Sequence, residues 1–228
     1  MPMGRWGDLR LRVLSAAVLA PLALICIWLG GIAFAALMLA GTVGLLVEWM
    51  QMTRAGRGTA AGLVAGAVYI LLAAVGLIWL RADPLVGRAN LLFLLALVWA
   101  SDIGAYVAGR AIGGPRLAPL ISPGKTVSGA LGGLLAAVLV GIAASLSLAA
   151  WHPTAVWCAG MLGGLLGVLA QAGDLGESFV KRQFGVKDSG RLIPGHGGLL
   201  DRLDALLAVA LAASLLALMQ GRGVVLWG

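Results

Sequence analysis

The sequence predicts an all-α fold, a polytopic helix bundle embedded in a membrane, and three observations point to it. Hydrophobic residues make up 61% of the chain at a mean hydropathy of +1.02, with charged residues at only 11%, a balance no soluble domain of 228 residues carries. Apolar runs of the length needed to cross hydrocarbon, roughly 17 to 25 residues, recur along the whole chain. Between them the charges are placed unevenly: ten of the 25 charged residues fall between Asp174 and Asp204.

Taken in order, the first run is Val13–Leu29, preceded by Arg5, Arg10 and Arg12. Ala33-Phe34-Ala35 resembles a signal-peptide cleavage site, but the apolar run before it is longer than a signal core and hydrophobicity continues beyond it, so a retained helix is expected. Only Gly30-Gly31 divides it from the second run, Ile32–Val47. Ala60–Leu80, Leu91–Ala108 and Ser128–Ala150 follow, then Trp157–Ala172, the shortest, and Leu203–Met219. This makes about seven transmembrane helices, within a range of six to nine, in a single membrane domain over 1–228. Gly129/Gly133, Gly160/Gly164 and Gly163/Gly167 have the spacing that lets helix backbones approach closely.

Lys and Arg accumulate on the cytoplasmic side of membrane proteins. With the N-terminus placed inside, thirteen of the sixteen bases lie on inner segments, leaving Arg81, Arg88 and Arg222 outside. The expected location is a bacterial inner membrane, with the Asp174–Asp204 segment facing the cytoplasm and Gly228 outside. The asymmetry accounts for the net charge of +7 without nucleic acid, for which no motif is present. Cys26 and Cys158 stand alone in apolar runs and read as small packing residues, and His152, beside Pro153, reads as part of an outer turn.

The segment 174–204 gathers Asp174, Glu177, Asp188, Asp201 and Asp204 with Lys181, Arg182, Lys187, Arg191 and Arg202, beside His196. Carboxylates alone repel phosphate, but one or two of them suit Mg²⁺, which completes its shell with waters and substrate phosphates. Metal plus Lys and Arg is the equipment of phosphoryl and nucleotidyl transfer. Pro194-Gly195-His196-Gly197-Gly198 would supply free backbone N–H groups for an anion nest. Upstream, Asp102 and Lys125 stand at the inner ends of two apolar runs.

Three stretches carry a family resemblance. They are Gly173-Asp174-Leu175-Gly176-Glu177-Ser178-Phe179-Val180-Lys181-Arg182, Gly185-Val186-Lys187-Asp188-Ser189-Gly190, and Ile193-Pro194-Gly195-His196-Gly197-Gly198-Leu199-Leu200-Asp201-Arg202-Leu203-Asp204. Together they resemble the signature of the phosphatidate cytidylyltransferases, or CDP-diacylglycerol synthases. An upstream block, Ser101-Asp102 through Ala105-Tyr106, Gly109-Arg110 and Ser122-Pro123-Gly124-Lys125-Thr126, is also similar; it departs from the family at Gly124, where Lys is expected, and at Ser128, where an acid is expected. The chain is also short for the family, by one or two helices.

The resemblance implies transfer of a cytidylyl group from CTP to phosphatidate, releasing diphosphate, with Mg²⁺ or Mn²⁺ as cofactor; whether a monovalent cation assists is open. It makes Asp174 and Asp201 metal ligands, with Asp102 and Asp204 as further candidates, and Lys181 and His196 catalytic. Lys125, Ser178, Arg182, Lys187, Arg191, Gly197, Gly198 and Arg202 become substrate-binding residues. The partners are then CTP and membrane lipid, and a homodimer is the default assembly.

Each assignment has a plainer rival. Glu177 and Lys181 are spaced to pair on a helix. Asp102 could pair with Arg110, His196 could be a structural hydrogen-bonding group, and Asp188-Ser189-Gly190 could be a simple turn. Asp201 could cap the last helix, Asp204 could serve its dipole, and Arg202 could pair or meet lipid. Two other classes fit less well. Another lipid phosphotransferase or polyprenol kinase shares the metal logic, but the paired-aspartate spacing of the CDP-alcohol phosphotransferases is missing. A transporter of anions would carry charges within helices on both sides of the midplane.

Overall fold

The computed structural model describes residues 5–56, 58–147, 153–221 and 223–227; Arg57, His152, Arg222 and Gly228 lie outside the described residues. Seven helices are described: α1 (Arg5–Leu29), α2 (Gly31–Ala55), α3 (Ala60–Arg81), α4 (Gly87–Ile112), α5 (Val127–Leu146), α6 (Pro153–Gln183) and α7 (Leu200–Gln220). Six are long and apolar enough to cross a membrane, and the apolar part of α1, Val13–Leu29, is shorter. The all-α class holds, with one addition: β1 (Arg116–Ala118) and β2 (Ser122–Thr126) form an antiparallel hairpin between α4 and α5.

The predicted spans find their helices, but the ends move. α2 and α4 run past the apolar windows, to Ala55 and Ile112, and α7 begins at Leu200 rather than Leu203. The largest correction is α6, expected to stop at Ala172 and observed to reach Gln183, a helix of 31 residues. At 1.5 Å per residue it is about 46 Å long, beyond the ~30 Å of hydrocarbon, so its polar final turns can form without crossing lipid.

The chain divides into two compact units. The first comprises 1–74 and Val180–Leu203. Its break between α1 and α2 falls at Gly30 and Gly31, whose φ values of 68° and 51° are left-handed backbone that side chains disfavour. Trp49 of α2 donates its indole N–H to the Leu63 carbonyl (3.0 Å) and packs edge-on against Phe184. Much of α1 presents apolar side chains outward, Val13, Leu14, Val18 and Ile25 among them, as a lipid-facing helix does.

The second unit comprises Val75–Phe179 and Asp204–Gly228. Its helices pack through small residues, as the glycine spacing predicted: a Cβ on Gly132 would lie 2.3 Å from the Ala108 Cβ and 2.7 Å from the Gly104 carbonyl, so α4 and α5 meet backbone to backbone. α5 and α6 meet likewise at Gly163, where a Cβ would lie 2.4 Å from the Ala137 carbonyl. Far from the hairpin, the segment after α7 returns to the start of α4, where the Leu226 N–H donates to Asn90 Oδ1 (3.0 Å) and Trp227 stacks on Phe93.

Candidate active site

A cavity of about 450 Å³ opens in the second unit, walled by α4, the hairpin, the start of α5 and α6. Its charged lining is Asp102, Arg110, Arg116, Lys125 and Asp174, with Tyr106 and Gln171 beside them. Local folding sets each of these. Thr126 Oγ1 accepts the Gly129 N–H (3.1 Å) and so starts α5, which leaves Lys125, one residue earlier on β2, at the cavity edge. Arg116, across the ladder, donates to the Gly124 carbonyl (3.2 Å). Gln171 and Asp174 are three apart on α6 and so share its face; Gln171 Nε2 donates to the Ala130 carbonyl (3.0 Å).

Lys125 Nζ lies 2.6 Å from Asp174 Oδ2, and both side chains keep about a third of their surface open, 29% and 33%. Asp102 makes neither a hydrogen bond nor an ion pair with any described residue, so its expected rival, a pair with Arg110, does not form. Deeper in the same unit, Asp204 Oδ1 accepts the Ala205 N–H (2.7 Å), and the carboxyls of Glu177 and Asp174 are near enough to act on Asp204 electrostatically.

The first unit holds a second arrangement. Lys181, near the end of α6, places Nζ 2.7 Å from Asp201 Oδ1, with side-chain exposures of only 12% and 13%. Both Asp201 oxygens also accept backbone donors: the Ser189 N–H reaches Oδ1 and Oδ2 (3.2 and 3.1 Å), and the Gly198 N–H reaches Oδ2 (3.2 Å). Asp201 lies inside the first turn of α7 and not before it, so its plainer rival reading, an N-cap, does not hold: its carboxylate reaches back to the preceding loop.

The anion nest is also corrected. The His196 and Gly197 N–H groups both donate to the Ile193 carbonyl (3.0 and 3.1 Å), closing a turn with Pro194 second and Gly195, at φ 78°, third. With the Gly198 N–H on Asp201, these three amides already have acceptors, and the structure gives Gly197 and Gly198 a turn-forming part. His196 Nδ1 lies 2.8 Å from Ser15 Oγ, and the His196 carbonyl accepts two bonds from Arg202 (3.2 and 2.7 Å). Arg182, Lys187 and Arg191 are exposed, and Ser178 is half-buried. At the two family departures, Gly124 is exposed with open space around it, and Ser128 Oγ bonds to Thr126 Oγ1 (3.1 Å) and to the Gly113 carbonyl.

The structure thus distributes the predicted residues over two clusters, Asp102, Lys125, Asp174 and Asp204 in one unit and Lys181, His196, Gly198 and Asp201 in the other. Arg116 and Gln171 were missed, and no short-range pattern marks them. Glu48 was missed as well. It accepts from Ser189 Oγ, from the Leu192 N–H and from the Leu200 N–H; its signal was a lone acid in an apolar run, which marks function in a membrane helix by default.

Asp102 and Asp174 offer the hard oxygen donors Mg²⁺ takes, in a water-open cavity. Among the described residues no group of three acids, histidines or cysteines converges at ligand spacing. One or two carboxylates suffice where waters and substrate phosphates complete the shell, so the residues present fit such an ion.

These features define a polytopic membrane protein with an open cavity lined by both acids and bases. The comparisons agree in kind. The model of the cytidylyltransferase family matches residues 63–219. A phosphatidate cytidylyltransferase of Brucella suis biovar 1 (strain 1330) is 38% identical over 252 aligned residues, covering 90% of this chain and 91% of that protein. One of Rickettsia bellii (strain RML369-C) is 36% identical over 209, covering 90% and 88%. The Brucella alignment is longer than this chain, so that protein carries internal residues missing here, whereas the Rickettsia protein is of about this chain's length, so the expected shortness does not hold across the relatives. The chain belongs to the cytidylyltransferase family, and it is a nucleotidyltransferase enzyme of the membrane.

Proposed function

We propose that the protein is a phosphatidate cytidylyltransferase and that the cavity of its second unit is where the CTP triphosphate binds. A phosphate oxygen of phosphatidate attacks the α-phosphorus of CTP, the bond from that phosphorus to the β-phosphate oxygen breaks, and CDP-diacylglycerol and diphosphate form. Phosphatidate is already ionised near neutral pH, so the attack needs little base catalysis. The task is to hold two polyanions in line, which calls for cations and positioning.

The observation that carries this reading is the composition of the cavity: Lys125, Arg110 and Arg116 beside two carboxylates, in a volume of about 450 Å³, within the ordinary range for small-ligand sites. Lys125 and Arg116 stand on adjacent strands and would grip phosphate oxygens from one side. Asp174, paired with Lys125, orients that ammonium and, with Asp102, would hold Mg²⁺ or Mn²⁺. When bound, that ion screens the phosphates and stabilises charge developing in the transition state. Lys187 and Arg191, exposed on the loop, suit anionic headgroups at the membrane face.

Purified protein in detergent, given phosphatidate, labelled CTP and Mg²⁺, should form labelled CDP-lipid; no product beside an active relative would overturn the reading. The loop bases should face the cytoplasm, by the charge asymmetry. Single cysteines at the exposed Asp188 and at Gly223, with Cys26 and Cys158 replaced, should then label from opposite sides of sealed vesicles, and labelling from one side would refute that orientation.

A further inference from the structure

Among the described residues, Glu48 is the one charged side chain that is fully buried, at 1% exposure. A buried carboxylate is costly unless its oxygens are bonded, and no described Lys or Arg pairs with this one. Its acceptors are filled from the signature segment instead. Oε2 takes Ser189 Oγ–H (3.3 Å) and the Leu200 N–H (2.9 Å), and Oε1 takes the Leu192 N–H (3.2 Å). Gly190 makes the approach possible, since a Cβ there would lie 2.5 Å from Oε1. One turn earlier on α2, Gly44 leaves room in the same way, where a Cβ would meet Leu192 and Leu199 at 2.8 and 3.0 Å. Leu200 is the first residue of α7, so the Glu48 charge also faces the positive end of that helix.

Ser189 links this carboxylate to the next. Its hydroxyl is on Glu48 while its N–H is on Asp201, which in turn holds Lys181. We propose that Glu48 is a positioning residue for the transfer reaction: it pins both ends of the 189–200 loop, and so Arg191 and His196, which that loop carries, in one arrangement. The inference deepens the cytidylyltransferase reading and rests on it for activity alone; the order of the loop is measured separately.

Glu48→Gln keeps the size but turns an N–H₂ toward at least one of three donors, and Glu48→Ala removes all the acceptors. In the purified full chain, trypsin cleavage after Arg191, followed by mass spectrometry, should rise about tenfold or more in either variant, because cleavage tracks the population of the opened loop. Cleavage after Arg116 should stay at the wild-type rate. In Glu48→Gln, kcat/KM for CTP and phosphatidate should fall about tenfold or more, a loss worth ~1.4 kcal/mol, while the protein stays folded and cleavage after Arg116 holds at the wild-type rate. Cleavage after Arg191 and turnover both within about twofold of wild type would overturn the proposal. So would a lowered melting temperature with cleavage raised equally at Arg116, which would make Glu48 a general stabiliser. If Glu48→Ala does not fold, Glu48→Gln decides on the same readings. Wild-type protein inactive toward CTP and phosphatidate would defeat the functional reading and leave the trypsin result standing.

Discussion

Two Asp–Lys pairs of nearly equal length behave as different objects. Asp174 and Lys125 meet at 2.6 Å with about a third of each side chain open, in a cavity. Asp201 and Lys181 meet at 2.7 Å with about an eighth open, and both oxygens of that aspartate also hold backbone N–H groups. Distance does not separate the two. What separates them is the coordinating capacity left over: Asp174 has a free edge facing water, whereas Asp201 is occupied in tying a loop to the start of α7.

The sharpest way to break the comparison is Asp174→Asn. It keeps the shape but removes the charge, so turnover should fall by about a thousandfold, as loss of several kcal/mol of transition-state stabilisation requires, with the unfolding temperature unchanged. Excess EDTA should abolish turnover of the wild type, with recovery on adding Mg²⁺ or Mn²⁺; full activity in the chelator would remove the metal from the account.

Lys125→Gln should have the next largest effect, raising KM for CTP by roughly ten- to a hundredfold, the 1.5–3 kcal/mol of a charged hydrogen bond. Initial rates over a range of CTP concentrations measure it, and an unchanged KM would place the triphosphate elsewhere.

The helices were legible because burial in lipid demands long apolar runs, and the Gly30-Gly31 break was visible for the same reason. The last eleven residues of α6, 173–183, were not, since the apolar run stops where charges begin although the helix continues through them. The site was half legible. Asp102, Lys125 and Asp174 could be chosen by charge and resemblance, but their joint cavity depends on β1 and β2, strands of three and five residues, the second opening Ser-Pro-Gly, too short to read. The partners of Asp201 were beyond reach, because two are backbone amides and the third lies 20 residues away. Glu48 could have been found by asking why a membrane helix keeps a lone acid.

The smallest expected effect belongs to the second pair. Asp201→Asn weakens one ion pair and disturbs several hydrogen bonds, so it should lower stability by about 1–3 kcal/mol and loosen the 189–200 loop, with the melting temperature and trypsin cleavage after Arg191 as readings.

The most direct test of the central claim sets the two aspartates side by side. Asp174→Asn and Asp201→Asn, purified identically, are compared for CDP-lipid formation under saturating substrates and for thermal unfolding. The account predicts that Asp174→Asn melts like wild type and is essentially inactive, whereas Asp201→Asn melts lower and retains measurable turnover. An Asp201→Asn protein that melts like wild type yet loses activity as completely as Asp174→Asn would contradict it, and would return Asp201 to the metal.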